Sequence, residues 1–202
     1  MPFSLQSHNT IRMHGMSARH WSDVRAIYKE ALSAGCLPGT AKLPTGTNWD
    51  KLHLPHSRFV ATSIAGEVLG WAALRSLAIH DFPAGVAEAT VFVACAAQGQ
   101  GVGRQLLASL IAASEANGIW TLQVSTLGKH PACRRLYEGA GFREVGRRER
   151  IDQVHGVWRD LVLLERRSAV VGTEDLRLLP YSSPMARSYH RVAPAPHPAQ
   201  VG

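Results

Sequence analysis

Between residues 98 and 104 the chain reads Gln98-Gly99-Gln100-Gly101-Val102-Gly103-Arg104, with glycines at alternate positions directly ahead of an apolar, periodic stretch. Glycine lets backbone amides come close to a ligand, and a helix start adds unpaired N–H groups and partial positive charge, so the guest such a turn suits is an anion. The spacing lacks the Lys-Ser/Thr of a P-loop and the third glycine position of the dinucleotide fingerprint. Taken alone it reads either as a phosphate cradle or as a tight strand-to-helix connection. Upstream, Glu88 stands in the apolar run Ala87-Glu88-Ala89-Thr90-Val91, where an acid is costly unless it is paired or used. Downstream, Arg135-Leu136-Tyr137-Glu138-Gly139-Ala140-Gly141-Phe142 reads as a helix stop packed by Tyr and Phe.

The elements that must position these residues follow from periodicity. Ile11-Arg12-Met13-His14 predicts a short strand, and Ser17 an N-cap for a helix through Trp21, Val24, Ile27, Tyr28 and Leu32 that stops near Gly35. Leu37 to His56, rich in Pro, Gly, Thr and Asn, predicts loop with one helical turn at Trp49-Asp50-Lys51-Leu52. Arg58 to Thr62 and Val68 to Leu74 read as a hairpin, and Ala87 to Ala94 as the strand running into the glycine turn. A helix from Gly103 to Ala116, a strand from Trp120 to Ser125, a helix from Ala132 to Gly139 and strands at Arg143 to Arg150 and Gly156 to Leu164 complete the order. That order suits an α+β, three-layer α/β/α fold, a mixed and mostly antiparallel sheet with helices on both faces.

A chain of 202 residues, 46% hydrophobic, can bury a full core without metals or disulfides. The expectation is one domain over 1–168 and a Pro-rich, poorly ordered tail over 169–202. Cys36, Cys95 and Cys133 lie far apart with no ligand spacing, which points to a reducing compartment and away from structural zinc. The ten histidines, His53, His56 and His155 among them, show no ligand-like pairing and read as surface or structural groups, with His155 also a pocket candidate, and no metal is expected. No apolar run approaches the roughly 20 residues of a membrane span, and Met1-Pro2-Phe3-Ser4 opens no leader pattern, so a cytoplasmic location is expected. The formal charge of +7 is spread through the chain, and its Arg clusters read as solvated edges. No nucleic-acid or membrane partner is expected.

Gln98-x-x-Gly101-x-Gly103 resembles the pyrophosphate loop of the GCN5-related N-acetyltransferases, and Leu136-Tyr137-Glu138 with Gly141-Phe142 resembles their Leu-Tyr-Glu-x-x-Gly-Phe signature. From about Ile11 to Ser168 the chain is similar to the phosphinothricin-acetyltransferase branch and its relatives that modify arsinothricin or methionine sulfoximine. Ile27-Tyr28, Glu30, Trp49-Asp50, His53 to Ala61, Gly156 to Asp160 and Glu165 to Ser168 carry that likeness. The resemblance implies acetyl-CoA as cosubstrate, bound by Val91, Phe92 and Val93 along the pantetheine arm and by Gln98, Gly99, Gln100, Gly101, Val102, Gly103 and Arg104 at the pyrophosphate, with His130 where a CoA-contacting Asn is usual. It implies Glu88 as base for the acceptor ammonium and Tyr137, in place of the branch's usual His, as acid for the departing thiolate; the other role of Tyr137 is packing against CoA. It implies direct transfer in a ternary complex and a homodimer.

The chain departs from the branch at Leu37-Pro38-Gly39-Thr40, where relatives have Ala-Thr-Phe-Glu, and at Ala78 and His80, where they carry Lys and Arg. The expected acceptor is a small amino-acid-like amine. The rival readings are another amine (an aminoglycoside, a polyamine, a protein N-terminus) and a non-catalytic acyl-CoA-sensing or nucleic-acid-binding module.

Overall fold

A computed structural model describes residues 11–37, 41–77, 85–127, 131–154 and 156–173. Strand β1 (Arg12–Gly15) leads through a 3-10 turn (Ala18–His20) into α1 (Trp21–Ser33) and α2 (Gly46–Leu52). Strands β2 (His53–Thr62), β3 (Val68–Ser76) and β4 (Val86–Val93) follow, then α3 (Val102–Ala116), β5 (Thr121–Leu127), α4 (Pro131–Glu138), β6 (Arg143–Val154) and β7 (Val157–Arg167). The strands form one sheet in the order β1-β2-β3-β4-β5-β7-β6. Every neighbouring pair is antiparallel except β4 and β5. The mixed, mostly antiparallel sheet expected from the sequence is present.

Alternation along the strands divides the core between the two faces. One face carries Val60, Trp71 and Ala73 against Val24 and Ile27 of α1 and Trp49 of α2. The other carries Ala72, Leu74, Ala89, Leu122, Val124 and Leu164 against Leu106, Leu107 and Leu110 of α3 and Tyr137 of α4. Helices therefore lie on both faces, as the three-layer expectation required.

Several elements differ from their sequence reading. The segment ahead of β2 was expected to be loop with one turn, yet it holds a seven-residue helix. Thr45 accepts the Asn48 amide at 3.3 Å as its N-cap, and Trp49, buried to 2%, anchors it; composition hides a helix whose stability comes from one buried indole. Strand β2 starts at His53 rather than Arg58, because the register slips between those residues and the slip takes up the Pro55 that a regular strand would not. Ser17 caps the 3-10 turn, and His20 takes the N-cap position of α1. Residues 174–202, most of the expected tail, lie outside the described residues.

The C-terminal end of α3 is tied to β7 by Glu115, whose carboxylate accepts from Arg166 at 3.0 Å and Ser168 Oγ at 2.9 Å. Burial pushes this carboxyl up, but its bonds to Ser168 and Arg166 outweigh that and hold it below the usual range. A carboxyl depressed on folding contributes stability above its unfolded pKa and loses it as pH falls through the folded one. Glu115→Gln is expected to cost about 1 kcal/mol at pH 7, and the gap to wild type should close on acidification, as urea melts across pH would register.

Candidate active site

The site begins where β4 and β5 part. Their parallel ladder joins Val86 to Thr121, Ala87 to Leu122 and Glu88 to Gln123 and goes no further, although β4 runs on to Val93 and β5 to Leu127. One end of the pair is pinned: the Trp120 N–H donates to Gly85 O at 2.9 Å, and the indole lies so close to Gly85 that a Cβ there would come within 2.1 Å of it. Past Glu88 the strands separate. At the two ends of β4, Leu77 N–H donates to Val86 O at 3.2 Å and Ala94 N–H to Leu69 O at 2.9 Å. Because an antiparallel ladder alternates, the even-numbered residues of β4 spend their backbone groups on β3, and Val91 and Val93 direct theirs into the gap. Phe92, grouped with them from the sequence, has its backbone on β3 and its ring on Trp71, with centroids 5.2 Å apart.

The glycine turn sits at the mouth of this gap. Gly99 (φ +76°) and Gly101 (φ +83°) occupy the left-handed region, and a Cβ on either would meet nothing within 4 Å, so the space over the turn is open. Gly101 is the N-cap of α3, and the first helical bond runs from Gln105 N–H to Gly101 O at 3.2 Å. The amides of Val102, Gly103 and Arg104 precede it and have no carbonyl of the helix to bond. Gly103 lets the first turn of α3 approach α4, since a Cβ there would lie 3.3 Å from Leu136 and 3.5 Å from Val93. The side chains of Gln98 and Gln100 shape the turn itself, donating to Val93 O at 3.4 Å and Ala96 O at 3.0 Å. Glu30 of α1 holds the approach by accepting the Cys95 N–H at 2.9 Å. His130 lies outside the described residues.

Glu88 closes the last rung of the β4–β5 ladder and is in register with Arg75 on β3, to which its carboxylate is ion-paired. On the far side of Arg75, His53 of β2 occupies the same row. Its ring stacks on Trp49 at 4.1 Å, and Nδ1 is 2.7 Å from Trp49 O, so Nδ1 carries the proton and Nε2 is the bare nitrogen. Burial, against the bond to Trp49, lowers its pKa and keeps the imidazole neutral. Tyr137 of α4 is buried to 4% against Phe142, and burial, with smaller contributions from Cys133 and Glu88, pushes its hydroxyl well above the ordinary range. The Cys133 thiol beside it is pushed up to about 11 by burial. Tyr137 therefore keeps its proton, within electrostatic reach of Glu88.

This arrangement matches known proteins. Residues 55–144 match the model of the acetyltransferase (GNAT) domain. Over that stretch the chain is similar to GNAT acetyltransferases. Over 106 residues it is 31% identical to the L-methionine sulfoximine/L-methionine sulfone acetyltransferase of Pseudomonas aeruginosa, covering 52% of this chain and 62% of that protein. It is 33% identical over 106 residues to the N-alpha-acetyltransferase RimI of Mycobacterium tuberculosis, covering 52% and 65%. The chain thus spans just under two thirds of the length of these curated relatives. A phosphinothricin acetyltransferase from Sinorhizobium meliloti, solved in complex with AcCoA, superposes with a TM-score of 0.75 at 21% identity, covering 82% of this chain and 92% of that one. The expected fold family is present.

The chain's own residues fit a diphosphate: the space over Gly99 and Gly101 is open, the first amides of α3 have no helix carbonyl to bond, and the gap beside the turn offers the Val91 and Val93 backbone. Sequence reasoning missed Arg75, which follows the buried run Trp71–Leu74 and met Glu88 only once strand register was known. It also left His53 as a structural residue, and no spacing connected it with Arg75. Gly101→Val forces a β-branched residue into positive φ, at a cost of about 1–2 kcal/mol. The Kd for coenzyme A, measured by calorimetry, is expected to rise about tenfold or more with the circular dichroism spectrum unchanged.

Proposed function

We propose that this protein is an acetyl-CoA-dependent N-acetyltransferase whose acceptor is a small amino-acid-like amine of the phosphinothricin, arsinothricin or methionine sulfoximine type. One observation carries the reading. The glycine turn, the open gap between β4 and β5, and a carboxylate on the last rung of that ladder lie in one continuous run of backbone. The methionine sulfoximine/methionine sulfone acetyltransferase among the relatives supports this acceptor class, while the N-alpha-acetyltransferase RimI is similar over a stretch of equal length.

Bound acetyl-CoA supplies the acetyl group as a thioester, activated toward an amine. The amides of Val102, Gly103 and Arg104 bind the diphosphate, and Val91 and Val93 orient the arm along β4 by backbone hydrogen bonds. An ammonium must lose a proton before it attacks, and Glu88 Oε takes that proton at the edge of the gap. A β4 N–H turned into the gap donates to the carbonyl oxygen as it gains charge, a contact that needs no side chain. Tyr137 holds a proton at Oη for the departing sulfur, and its burial keeps that proton in place over the working pH range.

The test is thiol release from acetyl-CoA over a panel of amines that includes phosphinothricin, methionine sulfoximine, a polyamine, an aminoglycoside and a peptide with a free N-terminus. Turnover concentrated on the amino-acid-like members supports the reading. Turnover on the peptide or polyamine alone moves the substrate class, and none on any member removes the enzyme. Glu88→Gln should lower kcat by about 10²–10⁴ while the Kd for coenzyme A stays within a factor of two or so. Tyr137→Phe should lower kcat without moving the alkaline limb of the rate profile, since the wild-type hydroxyl does not ionise there.

A further inference from the structure

Arg75 and Glu88 form an ion pair whose acidic member stands on the last rung of the β4–β5 ladder. The two residues face each other across the β3–β4 ladder, at a hydrogen-bonded position where Cα atoms lie about 5.5 Å apart. Their charges stand side by side on the α1/α2 face of the sheet. The Glu88 side chain is 19% exposed and that of Arg75 46% exposed, so the cation turns much of its surface outward while the anion is mostly sheltered. Glu88 stands next to the gap between β4 and β5, and Arg75 one strand further from it. Beyond Arg75 is His53, a neutral imidazole whose bare Nε2 adds no competing charge.

A positive and a negative group side by side are the complement of a molecule that carries the opposite pair at the same spacing. A free α-amino acid is such a molecule, with its carboxylate and ammonium on one carbon. We infer that Arg75 and Glu88 together recognise the zwitterion of a free α-amino acid, Arg75 taking the α-carboxylate and Glu88 the ammonium. This rests on the acetyltransferase reading above and narrows its substrate class. Binding exchanges one ion pair for two: the guanidinium moves to the incoming carboxylate, in the forked geometry that suits it, and Glu88 is left facing the ammonium alone. The orientation follows from the strand order, because the amine comes to the Glu88 side, against the gap, and the carboxylate is held away from it. A peptide N-terminus or a polyamine has no carboxylate on the carbon bearing its amine and leaves Arg75 on Glu88. The same exchange makes Arg75 a gate on the base, which is released when the acid group arrives.

The decisive comparison is between L-methionine sulfone and its α-carboxamide, the same amine without the carboxylate, in the thiol-release assay with the wild-type protein. The free acid is expected to exceed the amide in kcat/KM by at least tenfold. In Arg75→Gln the ratio should fall to within about threefold, mainly through a higher KM for the acid, with the Kd for coenzyme A unchanged, and Arg75→Lys should restore part of the preference. Equal wild-type turnover of acid and amide overturns the inference and leaves the acetyltransferase standing, as does a wild-type ratio in Arg75→Gln. No turnover of any amine overturns the acetyltransferase reading itself. The wild-type comparison decides even where a variant fails to fold.

Discussion

The structure turns on a ladder that stops. β4 and β5 are the parallel pair in an otherwise antiparallel sheet, and they share three rungs before they part. A strand leaving its neighbour exposes backbone N–H and C=O groups that a core does not tolerate without partners. The separation is sustained because its other sides are held. β4 keeps an unbroken ladder to β3 along its whole length, and β5 keeps one to β7. Trp120 locks the closed end against Gly85, and α4 fills the α3 side of the sheet with Tyr137, Leu136 and Cys133.

Around that opening, polar groups from distant parts of the chain meet. Glu30 reaches from α1 to the Cys95 amide, a separation of 65 residues, and so fixes how the chain leaves β4 for the glycine turn. Gly103 draws α3 onto α4. One row across the sheet carries His53, Arg75, Glu88, Gln123 and Glu165, each in register with the next. Glu165, 9% exposed, is balanced by Arg143 at 3.4 Å and Arg167 at 3.1 Å. Within this row Glu88 and Gln123 form the last rung before the gap, and Glu88 is its charged member.

Much of this was legible before any coordinates. The helix after the glycine turn announced itself by Leu106, Leu107 and Leu110, the strand before it by Val91 and Val93, and the turn by glycines whose positive φ no other residue adopts cheaply. These are local signals, and local periodicity reads them. Register is not local. The pairing of Arg75 with Glu88 depends on which rungs of β3 and β4 meet, and a shift by one residue would have put the two on opposite faces. For the same reason Val91, Phe92 and Val93 looked alike in sequence although the ladder gives their backbones different neighbours. The helix at Gly46–Leu52 was hidden in turn-forming residues, because what stabilises it is Trp49 packed beside Trp71, with centroids 5.8 Å apart.

A crystal structure of the complex with coenzyme A tests most directly whether the cosubstrate lies in the gap between β4 and β5 with its diphosphate on the turn. The expected result is phosphate oxygens about 3 Å from the amides of residues 102–104 and the arm bonded to the backbone of Val91 and Val93. A bound molecule that lies elsewhere, with the turn amides bare, contradicts it.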